Sequence, residues 1–212
     1  MHKSVIKVEC ENNVGTAVCI HTSNTGHLFL TCAHVVKYKT GSILLRYNKQ
    51  VFKGLVIYAV PKGSPYDLAL ISSIKSEDIT ASKMYCDIPL LIIADEEVFI
   101  VGYHSLEYEP SISVGRVYRI PFKSLLVTTC NVYPGFSGSP VFTKDNKLIG
   151  LLIGKLSIGS LSFVLTAAVF DQIINNYICK YDTIELKKIE SNCPITNIIW
   201  ENGYPNLKLC HI

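Results

Sequence analysis

The chain has 212 residues, a length within the range of a single domain that buries a substantial core. Hydrophobic residues make up 49% of it and charged residues 17%, which excludes intrinsic disorder for most of the chain. The net charge of +3, without a long Lys/Arg run, argues against nucleic acid as a partner. The longest apolar runs, 148–154 and 163–170, fall short of the ~20 residues that span a bilayer, so no membrane partner is expected.

Short apolar segments alternate with turn residues along most of the chain, which is typical of an all-β protein. Turn signals such as SNTG at 23–26 and KGSP at 62–65 separate the first segments, and KDN at 144–146 predicts a hairpin tip. We predict strands at roughly 4–10, 14–22, 27–32, 42–47, 52–60, 67–74, 98–104, 112–119, 124–131, 139–143, 147–154 and 161–169.

Two sets of about six short strands predict two antiparallel six-stranded β-barrels, although their spacing alone fits several β architectures. We expect the N-terminal barrel within residues 1–90 and the C-terminal barrel within 91–180, together forming one functional domain. Apolar residues at helical intervals predict a helix over 171–178. The segment 76–97 has the weakest pattern and is the candidate linker, and 181–212 is predicted to be an irregular tail.

The cysteines indicate a reducing environment. The chain has eight of them, none in a Cys-x-x-Cys pair, and the first residues reach charge too early for a signal-peptide core. We therefore expect reduced, mostly buried thiols in a soluble intracellular protein. No metal is expected, because Cys193, Cys210 and His211 are spaced unlike familiar zinc ligands.

Three motifs follow one another in the order His, Asp, Ser: TCAHVV with His34, YDLALI with Asp67, and GFSGSP with Ser137. A serine hydroxyl is a poor nucleophile at neutral pH, and a neighbouring imidazole activates it by removing its proton. A buried carboxylate fixes the imidazole tautomer and stabilises the imidazolium that forms. The motifs therefore predict a catalytic triad of Ser137, His34 and Asp67.

The glycines around Ser137 predict a second element of the chemistry. Attack on a carbonyl creates an oxyanion, which backbone N–H groups already in place can stabilise. The N–H groups of Gly135 and Ser137 are the candidate oxyanion hole, since glycine allows the sharp turn between them. Each of the three motifs also has a purely structural explanation: the loop around Ser137 as an ordinary turn, Asp67 as the start of a strand, and His34 as a core histidine. All three explanations must hold at once if there is no triad. The remaining histidines are predicted at the surface: His2, His21, His27, His104 and His211.

These motifs resemble those of the chymotrypsin-like (trypsin-like) serine protease clan, in its high-temperature-requirement branch. The resemblance rests on residues 30–36, 67–70 and 134–140 and covers roughly residues 4–178. It implies a double barrel and a serine endopeptidase that works through an acyl-enzyme without metal or organic cofactor. Phe136 stands where digestive enzymes carry the aspartate that pairs with a newly cut N-terminus, so activation of that kind is not expected.

The resemblance also implies where substrate binds. The primary pocket should be walled by the segment Asn131, Val132, Tyr133 and by the strand that contains Ile153 and Gly154. Because Asn131 at the implied pocket base is uncharged, we expect a small or uncharged side chain before the scissile bond rather than Lys or Arg.

Thr31-Cys32 before the histidine and TTC at 128–130 are similar to the peroxisomal leader-peptide-processing proteases. That similarity implies protein or peptide substrates, removal of leaders from peroxisomal enzymes and a peroxisomal matrix location, although the C-terminus is not Ser-Lys-Leu. Self-association is a further expectation. Two alternatives stay open: a non-catalytic peptide-binding protease homologue, and a glutamyl-endopeptidase-like enzyme of other specificity. The second is an alternative because the segment SGSPVF at 137–142 also resembles the serine motif of the glutamyl endopeptidases.

Overall fold

A computed structural model describes residues 2–64, 66–75, 78–85, 94–122, 124–156, 160–170 and 174. A short 3₁₀ turn, His2–Ser4, leads into the strands. The strands are β1 Val5–Cys10, β2 Asn13–Thr22, β3 Gly26–Thr31, β4 Gly41–Tyr47, β5 Gln50–Ala59, β6 Ala69–Ile74, β7 Glu97–Tyr103, β8 Pro110–Phe122, β9 Leu125–Thr128, β10 Pro140–Thr143, β11 Leu148–Lys155 and β12 Ser162–Thr166.

The strands form two closed antiparallel barrels of six strands each, which confirms the predicted fold class. The first barrel has the order β1-β2-β3-β6-β5-β4 and the second β10-β11-β12-β9-β8-β7. β1 pairs with β4 to close the first barrel, and β7 pairs with β10 to close the second. Closure leaves no free sheet edge, which removes the main aggregation hazard of short antiparallel strands.

Buried and exposed side chains alternate along β4 of the first barrel. In β4, Ile43, Leu45 and Tyr47 are buried, while the intervening Ser42 and Leu44 are exposed. That period of two turns every second side chain into the barrel. Other strands are buried on both faces over most of their length: β1, β2 and β3 in the first barrel and β9, β10, β11 and β12 in the second.

Each predicted strand overlaps one observed strand, and the KDN segment forms the predicted hairpin between β10 and β11. The prediction is wrong at the end of β12, because residues 167–170 are helical rather than extended. The run AAVF is apolar throughout, and periodicity does not separate a buried strand from a buried helix in so short a segment. The helix predicted over 171–178 lies outside the described residues except for Ile174, which is helical, and the tail 181–212 lies outside them entirely.

The predicted linker is described only in part. Thr80 N–H donates to the Lys3 carbonyl at 3.0 Å, and Ser82 N–H donates to the Cys19 carbonyl at 2.8 Å, so this stretch runs along the first barrel. It then reaches the second barrel, where the Tyr85 N–H donates to the Leu148 carbonyl at 2.9 Å. Over the described part of the chain, no helix combines the length and apolar character needed to cross a membrane.

The described cysteines are free thiols. Cys19, Cys32 and Cys130 are buried and Cys10 is half-buried, while the other four lie outside the described residues. Burial raises the pKa of both the Cys19 and Cys130 thiols to about 11. The surface prediction for His27 is wrong: this residue is buried in β3, and its Nδ1 lies 3.1 Å from the Thr22 hydroxyl, a partner that the neighbouring strand supplies.

Candidate active site

His34 and Asp67 meet at one end of the first barrel. Strand β3 ends three residues before His34, and β6 begins two residues after Asp67. The two strands are antiparallel neighbours, with Thr31 opposite Ala69, so the residues beyond their paired ends come together. The pairing of β3 with β6 therefore brings together two motifs that are distant in sequence.

Two contacts join the aspartate to the histidine. The His34 backbone N–H donates to Asp67 Oδ1 at 2.9 Å, and the imidazole Nδ1 is hydrogen-bonded to Asp67 Oδ2. The two side chains are 12% and 14% exposed, so this pair is largely shielded from water. A carboxylate held by both the backbone and the ring of one histidine fixes the ring orientation, as a triad requires.

A thiol lies beside this pair. Cys32 Sγ and one ligand atom from each of His34 and Asp67 lie within 4.8 Å of one another, a grouping that could hold a metal ion. The Cys32 thiol is fully buried, donates to the Leu152 carbonyl at 3.2 Å, and has a pKa raised well above its usual range by burial and then by the Asp67 charge. A metal ligand must be a thiolate, so a metal ion at this grouping would have to displace the thiol proton and its hydrogen bond to Leu152.

Ser137 lies in a tight loop between residue 130 and β10. The Phe136 N–H donates to the Tyr133 carbonyl at 3.0 Å, and the Ser139 N–H donates to the Phe136 carbonyl at 2.9 Å, which gives two successive turns. Gly135 has φ +97° at the third position of the first turn, a backbone conformation that glycine adopts without strain. Ser137 itself is buried.

Glycine is required in this loop for space as well as for conformation. A Cβ on Gly135 would lie 2.4 Å from the Tyr103 carbonyl oxygen. A Cβ on Gly138, which has φ +84°, would lie 2.2 Å from the Thr16 carbonyl oxygen and 3.1 Å from the Cys32 nitrogen. The loop is therefore packed directly against the segment that carries His34.

The N–H, the hydroxyl and the carbonyl of Thr16 in β2 are all hydrogen-bonded where the two barrels meet, a region called the seam below. Its N–H donates to the Ser137 carbonyl at 2.9 Å, and its hydroxyl donates to the Gly135 carbonyl at 2.9 Å. The same hydroxyl accepts the Tyr103 N–H at 3.0 Å, and the Thr16 carbonyl accepts the Thr31 hydroxyl at 2.7 Å. One fully buried threonine of the first barrel thus holds the carbonyls of Gly135 and Ser137, the two neighbours of Phe136 in the second barrel.

The predicted substrate-binding residues fall in two adjoining places. Val132, Ile153 and Gly154 are buried, whereas Asn131 and Tyr133 are exposed, and the Asn131 amide donates to the Tyr133 hydroxyl at 2.9 Å. Lys155, at the end of β11, brings the two places together because its ammonium donates to the Val132 carbonyl at 3.4 Å.

Several residues at the site have no role in the sequence-based prediction. Thr16 reads as an ordinary strand residue, and Cys32 carries a family likeness without a role. His104, predicted at the surface, is only half-exposed: its ring packs 4.6 Å from the Tyr133 ring and 5.3 Å from the Phe136 ring, centroid to centroid. The sequence around His104 does not predict this contact, because the partner rings belong to a loop about thirty residues later in the chain.

Two closed six-stranded barrels, with a glycine-flanked serine loop of one packed on the histidine segment of the other, define the chymotrypsin-like class of folds. Residues 15–151 match the trypsin-like peptidase domain family. The chain belongs to that family, which confirms the class of enzyme, a serine endopeptidase, that the motifs predict.

Curated relatives and solved structures agree with this class. The chain is 24% identical to the human peroxisomal leader peptide-processing protease and 23% identical to the mouse protein of that name, over 95% of this chain in both cases. It spans only 38% and 37% of the length of these relatives. The similarity therefore concerns only that part of each relative.

Among solved structures, the fold is similar to the inactive form of a serine-to-alanine mutant of the Mycobacterium tuberculosis protein Rv3671c. The TM-score is 0.68 at 16% identity, over 87% of this chain and 90% of that one. It is also similar to a serine endoprotease from Yersinia pestis, with a TM-score of 0.69 at 16% identity, over 84% of this chain and 64% of that one. At these identities the likeness shows the fold alone.

Proposed function

We propose that the chain is a serine endopeptidase in which Ser137, His34 and Asp67 form the catalytic triad. The observation that carries this proposal is the double contact of Asp67 with the backbone and the ring of His34, on the segment against which the serine loop packs. The fold, the family and the order of the three motifs support the same assignment. Peptides and proteins are the substrates of this class of enzyme.

The steps follow from the roles of the three groups. Ser137 Oγ attacks the scissile carbonyl carbon while His34 Nε2 takes up the hydroxyl proton. The N–H groups of Gly135 and Ser137 stabilise the oxyanion, and Asp67 stabilises the imidazolium. His34 then donates the proton to the departing amine, which leaves an acyl group on Ser137. Water, deprotonated by His34, attacks that ester, and Ser137 is released with its proton restored.

Labelling with a fluorophosphonate tests this assignment. We expect stoichiometric modification of Ser137 in the native chain, and none in the Ser137→Ala variant, because only an activated serine reacts at a useful rate. Ser139→Ala is the matched control, since it removes the neighbouring hydroxyl and keeps the nucleophile. A folded native chain that stays unlabelled favours the non-catalytic peptide-binding alternative instead.

The primary pocket is proposed to accept a small or uncharged side chain. Lys155 supports this, because its ammonium on the Val132 carbonyl places a positive charge beside the candidate pocket, where it repels a Lys or Arg of the substrate. Asn131 supplies no opposing charge. A peptide-library profile dominated by cleavage after Lys or Arg contradicts this specificity.

We further propose that the natural substrates are peroxisomal enzymes that carry leader peptides, and that the chain acts in the peroxisomal matrix. The support is the name of the two mammalian relatives, peroxisomal leader peptide-processing proteases, which align with 95% of this chain. Terminal profiling of cellular proteins after induction of the active chain and of Ser137→Ala tests it. Short N-terminal leaders lost from peroxisomal enzymes, in the active sample only, are the expected result; scattered cytosolic fragments leave only the broader activity.

The division of the chain is also a proposal: residues 1–90 carry His34 and Asp67, residues 91–180 carry Ser137, and 181–212 form a separate tail. Self-association is expected as well. Limited proteolysis combined with light scattering tests both, with cleavage expected first within the predicted linker 76–97 or beyond residue 180, and with a mass above that of one chain.

A further inference from the structure

Lys7 is a buried cation that the catalytic steps do not use. It lies in β1 of the first barrel between the buried Ile6 and Val8, and strand alternation alone would turn it toward water. Instead the residue is only 3% exposed, because the outer face of β1 meets the second barrel. Buried lysines are rare unless they are paired, so this position requires partners.

Its partners are backbone carbonyls of the other barrel. The Lys7 ammonium donates to the Ser105 carbonyl at 2.9 Å and to the Glu107 carbonyl at 2.8 Å, both in the loop 104–109 between β7 and β8. Its nitrogen also lies 4.0 Å from a Glu9 carboxylate oxygen and 5.4 Å from the centre of the Tyr108 ring. Burial lowers the pKa of Lys7, and the Glu9 charge opposes that shift.

The loop 104–109 has little apolar burial of its own. Leu106 is 90% exposed and Tyr108 is 65% exposed, so their side chains do not anchor it in the core. The Glu107 N–H donates to the His104 carbonyl at 3.1 Å and closes a turn within the loop. Two kinds of contact therefore hold the loop on the barrel seam: the ring of His104 on Tyr133 and Phe136, and the two charge-assisted bonds from Lys7, which are roughly twice as strong as neutral ones.

The inner side of this loop supports the turn that precedes the serine. The Ser105 N–H donates to the Pro134 carbonyl at 3.0 Å, so Ser105 is held by Lys7 on one side and holds Pro134 on the other. The loop also leaves so little room that a Cβ on Gly135 would lie 2.6 Å from the Ser105 nitrogen. A continuous path of contacts thus runs from Lys7 through Ser105 to Pro134 and Gly135.

We propose that Lys7 is a positioning residue: its ammonium, reaching across the barrel seam, holds the loop 104–109 against Pro134–Gly135 and so keeps the Gly135 N–H aimed at the oxyanion. This inference rests on the proposed oxyanion role of Gly135. Lys7 touches neither substrate nor reacting atoms, and its contribution is made through Ser105.

The test compares Lys7→Met, which keeps the length and removes the donors, with Lys7→Arg, which keeps a cation and its donors. Lys53→Met is the matched control, because Lys53 is an exposed lysine on β5 of the same barrel. For Lys7→Met we expect kcat on a peptide amide to fall about 10- to 100-fold with KM within about twofold, because loss of one oxyanion donor costs up to about 10³-fold. Lys7→Arg should recover most of that loss, and Lys53→Met should match the native chain.

A second measurement does not depend on catalysis. Amide hydrogen exchange at Ser105 and Phe136 should be about tenfold faster or more in Lys7→Met, because their acceptors lie in the turn that the loop supports. Amides in β3, remote from the loop, should exchange at native rates. If the Met variant is recovered unfolded, Lys7→Gln, which keeps amide donors without the charge, is measured in its place.

The outcomes separate this inference from the proposed function. Native kcat and native exchange at both amides in Lys7→Met overturn the inference and leave the triad assignment intact. Equal losses in Lys7→Arg and Lys7→Met overturn the role of the ammonium. If the native chain is not labelled at Ser137, the proposed function fails, and the exchange measurement alone then decides whether Lys7 holds the loop.

Discussion

The two halves of the candidate site are built in different ways. The His34–Asp67 half is complete within the first barrel, where the pairing of β3 with β6 brings the residues together and Asp67 contacts both the backbone and the ring of His34. The serine half is a loop of the second barrel whose carbonyls are held by the first, through the N–H and hydroxyl of Thr16.

This difference separates what strand pairing determines from what barrel docking determines. Damage to the first half should change the chemistry and leave the second barrel undisturbed. Damage to the seam should misplace the serine loop while the His34–Asp67 pair persists. Three predictions test that separation.

The largest effect is expected from Asp67→Asn. The amide keeps the shape of the side chain and favours the wrong imidazole tautomer, so kcat should fall about 10⁴-fold, as in other triads. Fluorophosphonate labelling of Ser137 should slow in parallel, with no change in hydrogen exchange of the serine loop. Asp145→Asn, at the exposed tip of the β10–β11 hairpin, is the matched control. A loss of less than about tenfold contradicts the role of Asp67.

A smaller effect is expected when the seam is broken at Thr16. Thr16→Val has nearly the same shape but leaves the Gly135 carbonyl and the Tyr103 N–H without their hydroxyl partner. Each buried group that loses its partner costs about 1–3 kcal/mol, so the free energy of unfolding should fall by about 2–6 kcal/mol, with a measurable loss of kcat.

Thr16→Ser is the control for that variant, because it keeps the hydroxyl and removes one methyl group. Chemical denaturation and steady-state kinetics on the three proteins provide the measurement. A Val variant as stable and as active as the Ser variant shows that the hydroxyl bonds at the seam are dispensable.

The smallest effect compares the barrel interiors through one thiol in each. Cys19 in the first barrel and Cys130 in the second both have a pKa raised to about 11. In the unfolded chain these thiols ionise first, so the folded state binds more protons and its stability falls as pH rises from about 9 to about 11.

Removing either thiol should therefore flatten the pH dependence of unfolding. We expect Cys19→Ala and Cys130→Ala each to reduce the slope by up to about 1 kcal/mol per pH unit, measured by denaturation from pH 8 to pH 10.5. Equal reductions show that the two barrel interiors exclude water to the same extent. The difference between the two halves of the candidate site then lies in their loops. A reduction for only one thiol contradicts that equality.

The fold and the His34–Asp67 contact are accessible from the sequence because their signals are local. Short apolar segments separated by turn residues predict the two sets of strands, and the three motifs favour the double barrel among the β architectures that fit this spacing. TCAHVV and YDLALI end and begin neighbouring strands. The helical run 167–170 escapes prediction because its residues are apolar on every side.

The seam is not accessible in the same way, because its partners are distant in sequence. Lys7 and Ser105 are 98 residues apart, and Thr16 and Gly135 are 119 apart. Nothing in VIKVEC distinguishes a lysine that faces water from one that faces another barrel. Recognising these residues requires the docked arrangement of both barrels, which single-strand periodicity does not contain.

The saturated bonding of Thr16 has a consequence for recombining this protein with its relatives. A chimaera that takes its first barrel from one parent and its second from another exchanges β2 without the serine loop that it supports. Such a hybrid should fold when the parent of the first barrel has a hydroxyl at position 16, because the partners at 103 and 135 are backbone groups. It should be destabilised when that parent has an aliphatic side chain at position 16. Inheritance of the serine loop is thus tied to a strand more than a hundred residues upstream.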